Sequence, residues 1–290
     1  MKKVIPYGES LDENLILALG YFDAVHCGHT IVLNRAVALA KDNGLAPACL
    51  IFVGKKSKKD VFTLSERVRK IFMLGIEIII VKELDDDFMQ KSETKFLDEI
   101  KGFYNPKKVV CGSDFTFGYK KCGNVNTLKG YFSSENVCAV TLLEDDNGEK
   151  ISSSTIKKYL EIGDIKTANQ MLGSNYFICG EVVKGKGLGK DLNFPTANII
   201  LDATKFEIKQ GVYVTFVIID DKIYPSITNF GNQPTVDCEN KVLETHIKGY
   251  NGNLYGKYIT VYFVEYLRDI QKFTSIEKLK EQLIKDLGSI

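Results

Sequence analysis

The first 150 residues alternate apolar runs of strand length with segments of helical periodicity. Strand-like runs occur at residues 15–19, 46–53, 76–81, 108–111 and 137–143, and amphipathic helical stretches lie between them at residues 30–43, 64–74 and 93–103. Parallel strands need a crossover between them, and a helix usually supplies it. The alternation therefore predicts an α/β domain with a parallel, doubly wound sheet.

From about Tyr176 the pattern changes to short strands separated by turns. Strand-like segments occupy residues 177–183, 212–219, 222–228, 242–247 and 258–266, and helical periodicity returns only at residues 275–287. Many short strands joined by hairpin-like turns favour a small antiparallel barrel or sandwich. A length of 290 residues also suits two domains. We predict one domain over residues 1–173 and a second over residues 174–290.

Composition excludes several classes of protein. The 38 basic and 37 acidic side chains nearly cancel, which disfavours a nucleic-acid partner. The seven cysteines are scattered without a C-x-x-C pair, so we expect a reducing compartment rather than a disulfide framework. No signal-peptide pattern fits the N-terminus, and no apolar run approaches the roughly 20 residues that span a bilayer. We therefore expect a cytoplasmic protein with no membrane partner.

Two of the three histidines, His26 and His29, fall where the first helix follows the first strand. The N-terminus of a helix attracts phosphate, because its backbone N–H groups are free and its dipole is positive there. Gly28 would let a nucleotide approach the backbone closely. The segment predicts nucleotidyl transfer, with donors that stabilise charge on the α-phosphate and the departing pyrophosphate. Two alternatives are an ordinary capped helix and a metal site that includes Cys27, although adjacent helical residues converge poorly on one ion.

Two further segments of the first domain suit a nucleotide or a planar ligand. The serine run at residues 152–154 opens a predicted helix, so its hydroxyls could hold a triphosphate or simply cap the helix. Phe115 and Phe117 alternate in a loop after a strand. Ligands of parallel α/β sheets bind at the carboxyl ends of the strands, so this loop suits a planar ligand, although it could instead be buried.

In the second domain, residues 185–190 form a glycine-rich loop that is followed by Thr196 and Asn198. The loop is not a Walker A motif, but its backbone amides could still bind phosphates. Thr196 and Asn198 alternate on an extended chain and so face the same way. A hydroxyl and an amide oxygen are ligands that Mg²⁺ accepts, because this ion prefers oxygen.

Glu244 and His246 also alternate onto one face of a predicted strand. A carboxylate near a phosphate-binding loop could orient a substrate hydroxyl and accept its proton. The alternative is a solvated strand face. With the glycine loop and the Thr-x-Asn pair, the Glu-x-His pair indicates phosphoryl transfer to an alcohol.

Taken in order, these segments resemble the bacterial bifunctional riboflavin kinase/FAD synthetase family from about Leu17 to Asp286. The run from Gly20 to His29 is similar to the family's Gly-x-Phe-Asp-Gly-Val-His-x-Gly-His. The other matching segments are Asp114–Gly118 with Gly123-Asn124, Ile151–Lys157, Phe194–Asn198, Gly211–Tyr213, Asn229-x-Gly231-x-x-Pro234-Thr235, Glu244-x-His246-Ile247, Leu254–Gly256 and Tyr266–Arg268.

The resemblance implies an N-terminal nucleotidyltransferase (Rossmann-like) domain and a six-stranded Greek-key barrel with a C-terminal helix. It implies two reactions: riboflavin and ATP give FMN, and FMN and ATP give FAD and pyrophosphate. ATP would be the co-substrate and Mg²⁺ the cofactor.

The resemblance also assigns residues. In the first domain, ATP would contact Gly20, Phe22, Asp23, His26, Gly28, His29, Ser153, Ser154 and Lys157, with His26 and His29 catalytic, and FMN would contact Asp114, Phe115, Phe117 and Asn124. In the kinase domain, ATP would contact Gly185, Lys186, Gly187, Gly189 and Lys190, Mg²⁺ would bind Thr196 and Asn198, Glu244 would be the catalytic base, and the flavin would contact His246 and Arg268.

Three positions depart from the family pattern, all in the first domain. Residues 52–56 read Phe-Val-Gly-Lys-Lys where the family carries Phe-Asp-Pro-His-Pro, Ala24 replaces a glycine, and Lys157 replaces an arginine. A lysine keeps the charge but loses the planar fork of arginine. These departures leave open a kinase whose N-terminal domain is a weak or inactive adenylyltransferase. A flavin sensor that binds RNA and a nucleotidyltransferase for another acceptor are less consistent with the charge balance and with the segments around Thr196 and Glu244.

Overall fold

The computed structural model describes residues 2–54, 59–141, 148, 150–185, 194–232 and 241–290. The chain divides into two compact units, Met1–Thr155 and Ile156–Ile290. Most of the helical segment at residues 153–172 therefore groups with the second unit. The boundary at residue 173 stays a prediction about which segment folds on its own. No helix within the described ranges is long and apolar enough to cross a bilayer.

The first unit contains a six-stranded parallel sheet in the order β1-β4-β3-β2-β5-β6. Its strands are β1 (Lys3–Pro6), β2 (Leu15–Leu19), β3 (Ala46–Val53), β4 (Ile78–Glu83), β5 (Lys108–Gly112) and β6 (Val137–Val140). Its helices are α1 (Cys27–Asn43), α2 (Leu64–Met73), α3 (Asp86–Met89), α4 (Glu93–Tyr104) and α5 (Val125–Phe132). The predicted doubly wound α/β domain is confirmed.

Strand β2 lies at the point where the strand order reverses, because it pairs with β3 on one side and with β5 on the other. All five of its residues are buried, as expected of a central strand covered on both faces. Leu19 at its carboxyl end pairs with Cys111 near the carboxyl end of β5. The loops that follow β2 and β5 therefore meet at the position where doubly wound sheets bind ligands.

The second unit contains six antiparallel strands in the order β7-β12-β9-β10-β11-β8. They are β7 (Tyr176–Glu181), β8 (Thr196–Ile200), β9 (Gly211–Ile219), β10 (Lys222–Asn232), β11 (Lys241–Ile247) and β12 (Tyr258–Arg268). A bridge between Val183 and Asn198 joins the two ends of the sheet. Strands β9 to β11 are consecutive neighbours and β12 returns beside β9, which is the Greek-key arrangement. Helices α6 (Ser153–Ile162), α7 (Ile165–Leu172) and α8 (Ile276–Leu287) accompany this part of the chain.

The two faces of this curled sheet have different chemistry. On the inner face, the buried hydroxyls of Ser226, Thr215, Thr228 and Thr245 form a chain of hydrogen bonds 2.8–2.9 Å long. Because strand residues alternate between faces, the neighbours of Thr245 in the sequence point outward. The outer face therefore carries Glu244 and His246.

Candidate active sites

Helix α1 begins beside the paired histidines. His26 is the N-cap, and its Nδ1 accepts a hydrogen bond from the backbone N–H of His29 at 3.3 Å. The two imidazole rings stack with centroids 3.7 Å apart and planes 20° apart. Both side chains thus lie together at the N-terminus of a helix, beside the loop that follows the central strand.

Burial sets the charge state of this pair. Burial, and after it the nearby Lys70, lowers the pKa of His26 to about 4. The pKa of His29 is held well below its usual range, chiefly by burial and then by His26, Arg67 and Lys70. Both imidazoles are therefore neutral at neutral pH. Because Nδ1 of His26 is an acceptor, its proton is on Nε2, which can donate to an anion. Nδ1 of His29 is buried and has no hydrogen-bond partner among the described residues.

The remaining residues of this segment shape the loop. Asp23 accepts a 2.7 Å hydrogen bond from the backbone N–H of Val61, and Phe22 is buried against His29 with ring centroids 5.1 Å apart. Gly20 lies under the Phe22 ring, where a Cβ would come within 2.7 Å of it. Gly28 faces the His26 ring, which a Cβ would approach to 3.2 Å. Gly20, Phe22 and Asp23 therefore support the histidines.

The loop after β5 has one exposed and one buried part. Asp114 is exposed and forms an ion pair with Lys150 at 2.7 Å, and half-buried Phe115 stacks on Phe117. Phe117 itself is buried in the core. Asn124 caps α5 by accepting a 2.8 Å hydrogen bond from the N–H of Asn126. Asp114, Phe115 and the exposed Asn124 are thus accessible to a ligand, whereas Phe117 packs in the core.

The serine run opens α6. Ser152 accepts a hydrogen bond from the N–H of Thr155 at 3.2 Å, so it caps the helix. Ser153 is half-buried and Ser154 is exposed in the first turn. Lys157 lies in the next turn, with its Nζ 5.7 Å from the ring centroid of Phe206.

In the second unit, a cavity of about 360 Å³ lies on the outer face of the sheet, and α8 lines its other side. The strand register forms one row across five strands, in which each residue is paired with the next. The row consists of Asn198, Glu244, Asn229, Val212 and Arg268. All but Asn198 line the cavity. Paired residues on neighbouring strands share a face, so the row sets out the polar groups in a fixed order.

Thr196 and His246 are paired next to this row and also line the cavity. Nδ1 of His246 lies 3.0 Å from the backbone oxygen of Pro195. Since that oxygen is an acceptor, Nδ1 of His246 is the donor, and this bond fixes the ring beside Thr196.

The beginning of the glycine loop packs on Asn198. Nδ2 of Asn198 donates to the backbone oxygen of Thr196 at 3.2 Å. A Cβ on Gly185 would lie 2.5 Å from that Nδ2, so only glycine fits there. Lys186, Gly187, Gly189 and Lys190 lie outside the described residues. The same Nδ2 of Asn198 lies 3.5 Å from the Thr196 hydroxyl, which brings the two side chains together. A hydroxyl and an amide oxygen are hard ligands that Mg²⁺ accepts, so the residue types fit this ion.

Arg268 ends the row at the far side of the cavity. Its Nε and Nη2 bind the carboxylate of Asp286 in α8 at 3.0 and 2.7 Å. Gln282 donates to the same carboxylate at 2.7 Å. The pair joins the last strand to the last helix.

Comparisons with known proteins match the N-terminal and C-terminal parts of the chain to two different families. A model of the FAD synthetase family matches residues 9–155, and a model of the riboflavin kinase family matches residues 172–290. The chain belongs to the bifunctional riboflavin kinase/FMN adenylyltransferase family. It is therefore a transferase that phosphorylates riboflavin to FMN and adenylylates FMN to FAD, with ATP as co-substrate. The two matched domains favour this interpretation over that of a kinase alone.

Relatives of this family match almost the whole chain. The Bacillus subtilis bifunctional riboflavin kinase/FMN adenylyltransferase is 32% identical over 93% of this chain and 90% of its own length. The Haemophilus influenzae protein of the same name is 30% identical over 93% and 91%. A crystal structure from Streptococcus pneumoniae, described as a macrolide-efflux protein, is 30% identical, covers 98% of this chain and 97% of its own, and has a TM-score of 0.87.

We call residues 20–29, which carry His26 and His29, the histidine loop. The residue that supports this loop was not identified from the sequence. Arg67 of α2 is completely buried, and its Nη1 donates to the backbone oxygens of Phe52 at 2.9 Å and Tyr21 at 3.3 Å. Its Nη2 lies 3.4 Å from the carboxylate of Asp60. One guanidinium therefore joins α2, the end of β3 and the beginning of the histidine loop. A charged residue on the apolar face of an amphipathic helix was the available signal.

Proposed function

We propose that riboflavin is phosphorylated in the cavity between the outer face of the sheet and α8, with Glu244 as the general base. The row from Asn198 to Arg268 carries this proposal. It has oxygen ligands at one end, a carboxylate next to them and an apolar space closed by an arginine at the other end. Phosphoryl transfer to riboflavin needs the same order: first the phosphate donor with its metal ion, then the attacking alcohol, and then the flavin ring.

In this arrangement Glu244 orients the terminal ribityl hydroxyl and accepts its proton as the oxygen attacks the γ-phosphate of ATP. The bond between the γ-phosphorus and the β–γ bridging oxygen breaks, and ADP leaves. Thr196 and Asn198 would hold Mg²⁺, and Gly185 keeps the chain close to Asn198. When bound, Mg²⁺ neutralises charge on the phosphates. His246 contacts the flavin from β11, and Arg268 contacts it from β12 at the far end of the cavity.

Adenylyl transfer takes place at the reversal of the strand order in the first unit. A phosphate oxygen of FMN attacks the α-phosphorus of ATP, and pyrophosphate leaves. The neutral His26 donates from Nε2, and His29 and the free N–H groups of α1 donate beside it. Asp114 and Phe115 form the adjacent wall on which FMN binds, and Ser153 and Ser154 contact the triphosphate.

A crossed assay tests both locations. Glu244→Gln keeps the shape of the side chain and removes its basicity, so FMN formation should fall about 10²–10⁴-fold while FAD formation from added FMN is unchanged. The double variant His26→Ala/His29→Ala should show the reverse, with loss of FAD and normal FMN. Each variant is the folding control of the other. Normal kinase turnover in Glu244→Gln would refute the base assignment.

A further inference from the structure

Asn229 occupies an unusual position in the cavity of the second unit. Its Oδ1 is buried and has no hydrogen-bond partner among the described residues. It lies on β10, paired with Glu244 on one side and with Val212 on the other. All three residues line the cavity. An acceptor oxygen removed from water and left unpaired is costly unless a ligand pairs with it.

Asn169 and Asn175 of the same unit differ from Asn229, because their side chains make hydrogen bonds to the backbone. Asn169 donates to the backbone oxygen of Phe263 at 2.9 Å and accepts from the N–H of Tyr176 at 2.6 Å. Asn175 donates to the same oxygen of Phe263 at 3.1 Å. Each of these side chains is fixed by the backbone. The buried oxygen of Asn229 instead lies among residues that line a cavity, which favours a role in binding.

The position in the row selects the part of the substrate that Asn229 meets. Paired residues on adjacent antiparallel strands have Cβ atoms about 4.5–5.5 Å apart, so Asn229 lies one strand from the proposed base Glu244. Arg268 lies two strands further, beyond the apolar Val212. In the proposed site the reacting terminal hydroxyl lies at Glu244 and the flavin ring lies toward Arg268. The part of the substrate that reaches Asn229 is therefore the polyol next to the reacting hydroxyl.

We infer that Oδ1 of Asn229 accepts a hydrogen bond from a secondary hydroxyl of the ribityl chain and makes Asn229 a specificity-determining residue of the kinase. The inference rests on the proposed location of the kinase site. Carbonyl oxygens only accept, and a ribityl hydroxyl can donate. A site built to bind a hydroxyl rejects a substrate that lacks it, because its buried acceptor stays unpaired.

The test compares kcat/KM for riboflavin with that for a 10-(5-hydroxypentyl) flavin, which keeps the terminal hydroxyl and lacks the secondary ones. The wild-type protein should prefer riboflavin. Asn229→Ala should lower kcat/KM for riboflavin by about 10- to 100-fold and leave that for the analogue unchanged, so that the preference disappears. Asn232→Ala, an exposed asparagine on the same strand, is the matched control and should keep the wild-type preference. Asn229→Leu, similar in shape and without an acceptor, replaces the alanine variant if that variant does not fold.

A third substrate, 3-methylriboflavin, separates the ribityl chain from the ring. Loss of discrimination against this compound in Asn229→Ala would show that Asn229 contacts the ring and would overturn the inference. An equal loss on riboflavin and on the hydroxypentyl analogue would show a structural role and would also overturn it. The proposed function fails differently, by kinase turnover that survives Glu244→Gln.

Discussion

Arg268 and Asp286 form a bidentate ion pair between the last strand and the last helix. The Asp286 side chain is 3% exposed and that of Arg268 is 17% exposed, so the pair is largely removed from water. The carboxylate also accepts from Gln282, which lies one helical turn away. Both partners line the cavity, and the pair therefore holds α8 as a wall of the proposed flavin site.

We predict that Asp286→Asn lowers both stability and riboflavin affinity. Removal of one charge from a buried pair leaves the other without compensation, which costs about 3 kcal/mol at the low end of the usual range. Urea unfolding followed by circular dichroism measures this loss, and the KM for riboflavin should rise because the wall is less firmly held. FAD formation from FMN should not change.

The matched control is Glu265→Gln, which removes an exposed ion pair with Lys166 at 2.9 Å. Exposed pairs contribute about 0–1 kcal/mol. If both variants unfolded at the same urea concentration, the Arg268–Asp286 pair would have no special role.

A second prediction concerns the dependence of stability on pH. The pKa of His26 is lowered to about 4, chiefly by burial, whereas an unfolded histidine titrates near 6.5. The native state therefore binds fewer protons than the unfolded state between these values, so stability is complete above about pH 6.5 and falls as the pH drops toward 4. His26 alone should account for about 2 kcal/mol of loss between about pH 7.5 and about pH 5. His29 adds to the loss in the same direction.

His26→Asn keeps a side chain that can cap α1 and removes the titrating group. Its free energy of unfolding should therefore fall less than that of the wild-type protein between these two pH values, as measured by urea unfolding. Parallel losses in both proteins would contradict the assignment of the pH dependence to His26.

A third prediction concerns the support of the histidine loop. Arg67→Lys keeps the charge, but one ammonium cannot replace a planar fork that bonds Phe52 and Tyr21 and faces Asp60. The loop should shift, and misplacement by about 1 Å can cost about 10²-fold in rate. FAD formation should fall strongly while FMN formation is unchanged. Arg69→Lys, at an exposed position of the same helix, is the control and should leave both rates as they are.

The sequence predicted those parts of the fold that strong local patterns encode. The buried run of β2 and the histidine motif after it identified the central strand and its loop. Strand β1 was missed, because of its four residues only Ile5 is buried and no alternation shows. The burial of Phe117 depends on packing against Phe96, which no local pattern records. The pairing of Glu244 with Asn229 depends on the tertiary register of two strands, so the row across the cavity could be seen only in the structure.

The last prediction tests the glycine that begins the kinase loop. A Cβ on Gly185 would lie 2.5 Å from Nδ2 and 2.8 Å from Oδ1 of Asn198, too close for unbonded atoms. Gly185→Ala should therefore displace the amide of Asn198 and weaken the proposed Mg²⁺ site, as changes next to metal ligands do by about 10- to 100-fold in affinity. The Mg²⁺ concentration at half-maximal kinase rate should rise by about tenfold, and FAD formation should keep its Mg²⁺ dependence. Gly102→Ala in α4 is the control, because a Cβ there meets nothing within 4 Å and alanine favours a helix. If the kinase rate of Gly185→Ala had the same Mg²⁺ dependence as that of the wild-type protein, Asn198 would not be a ligand of the metal.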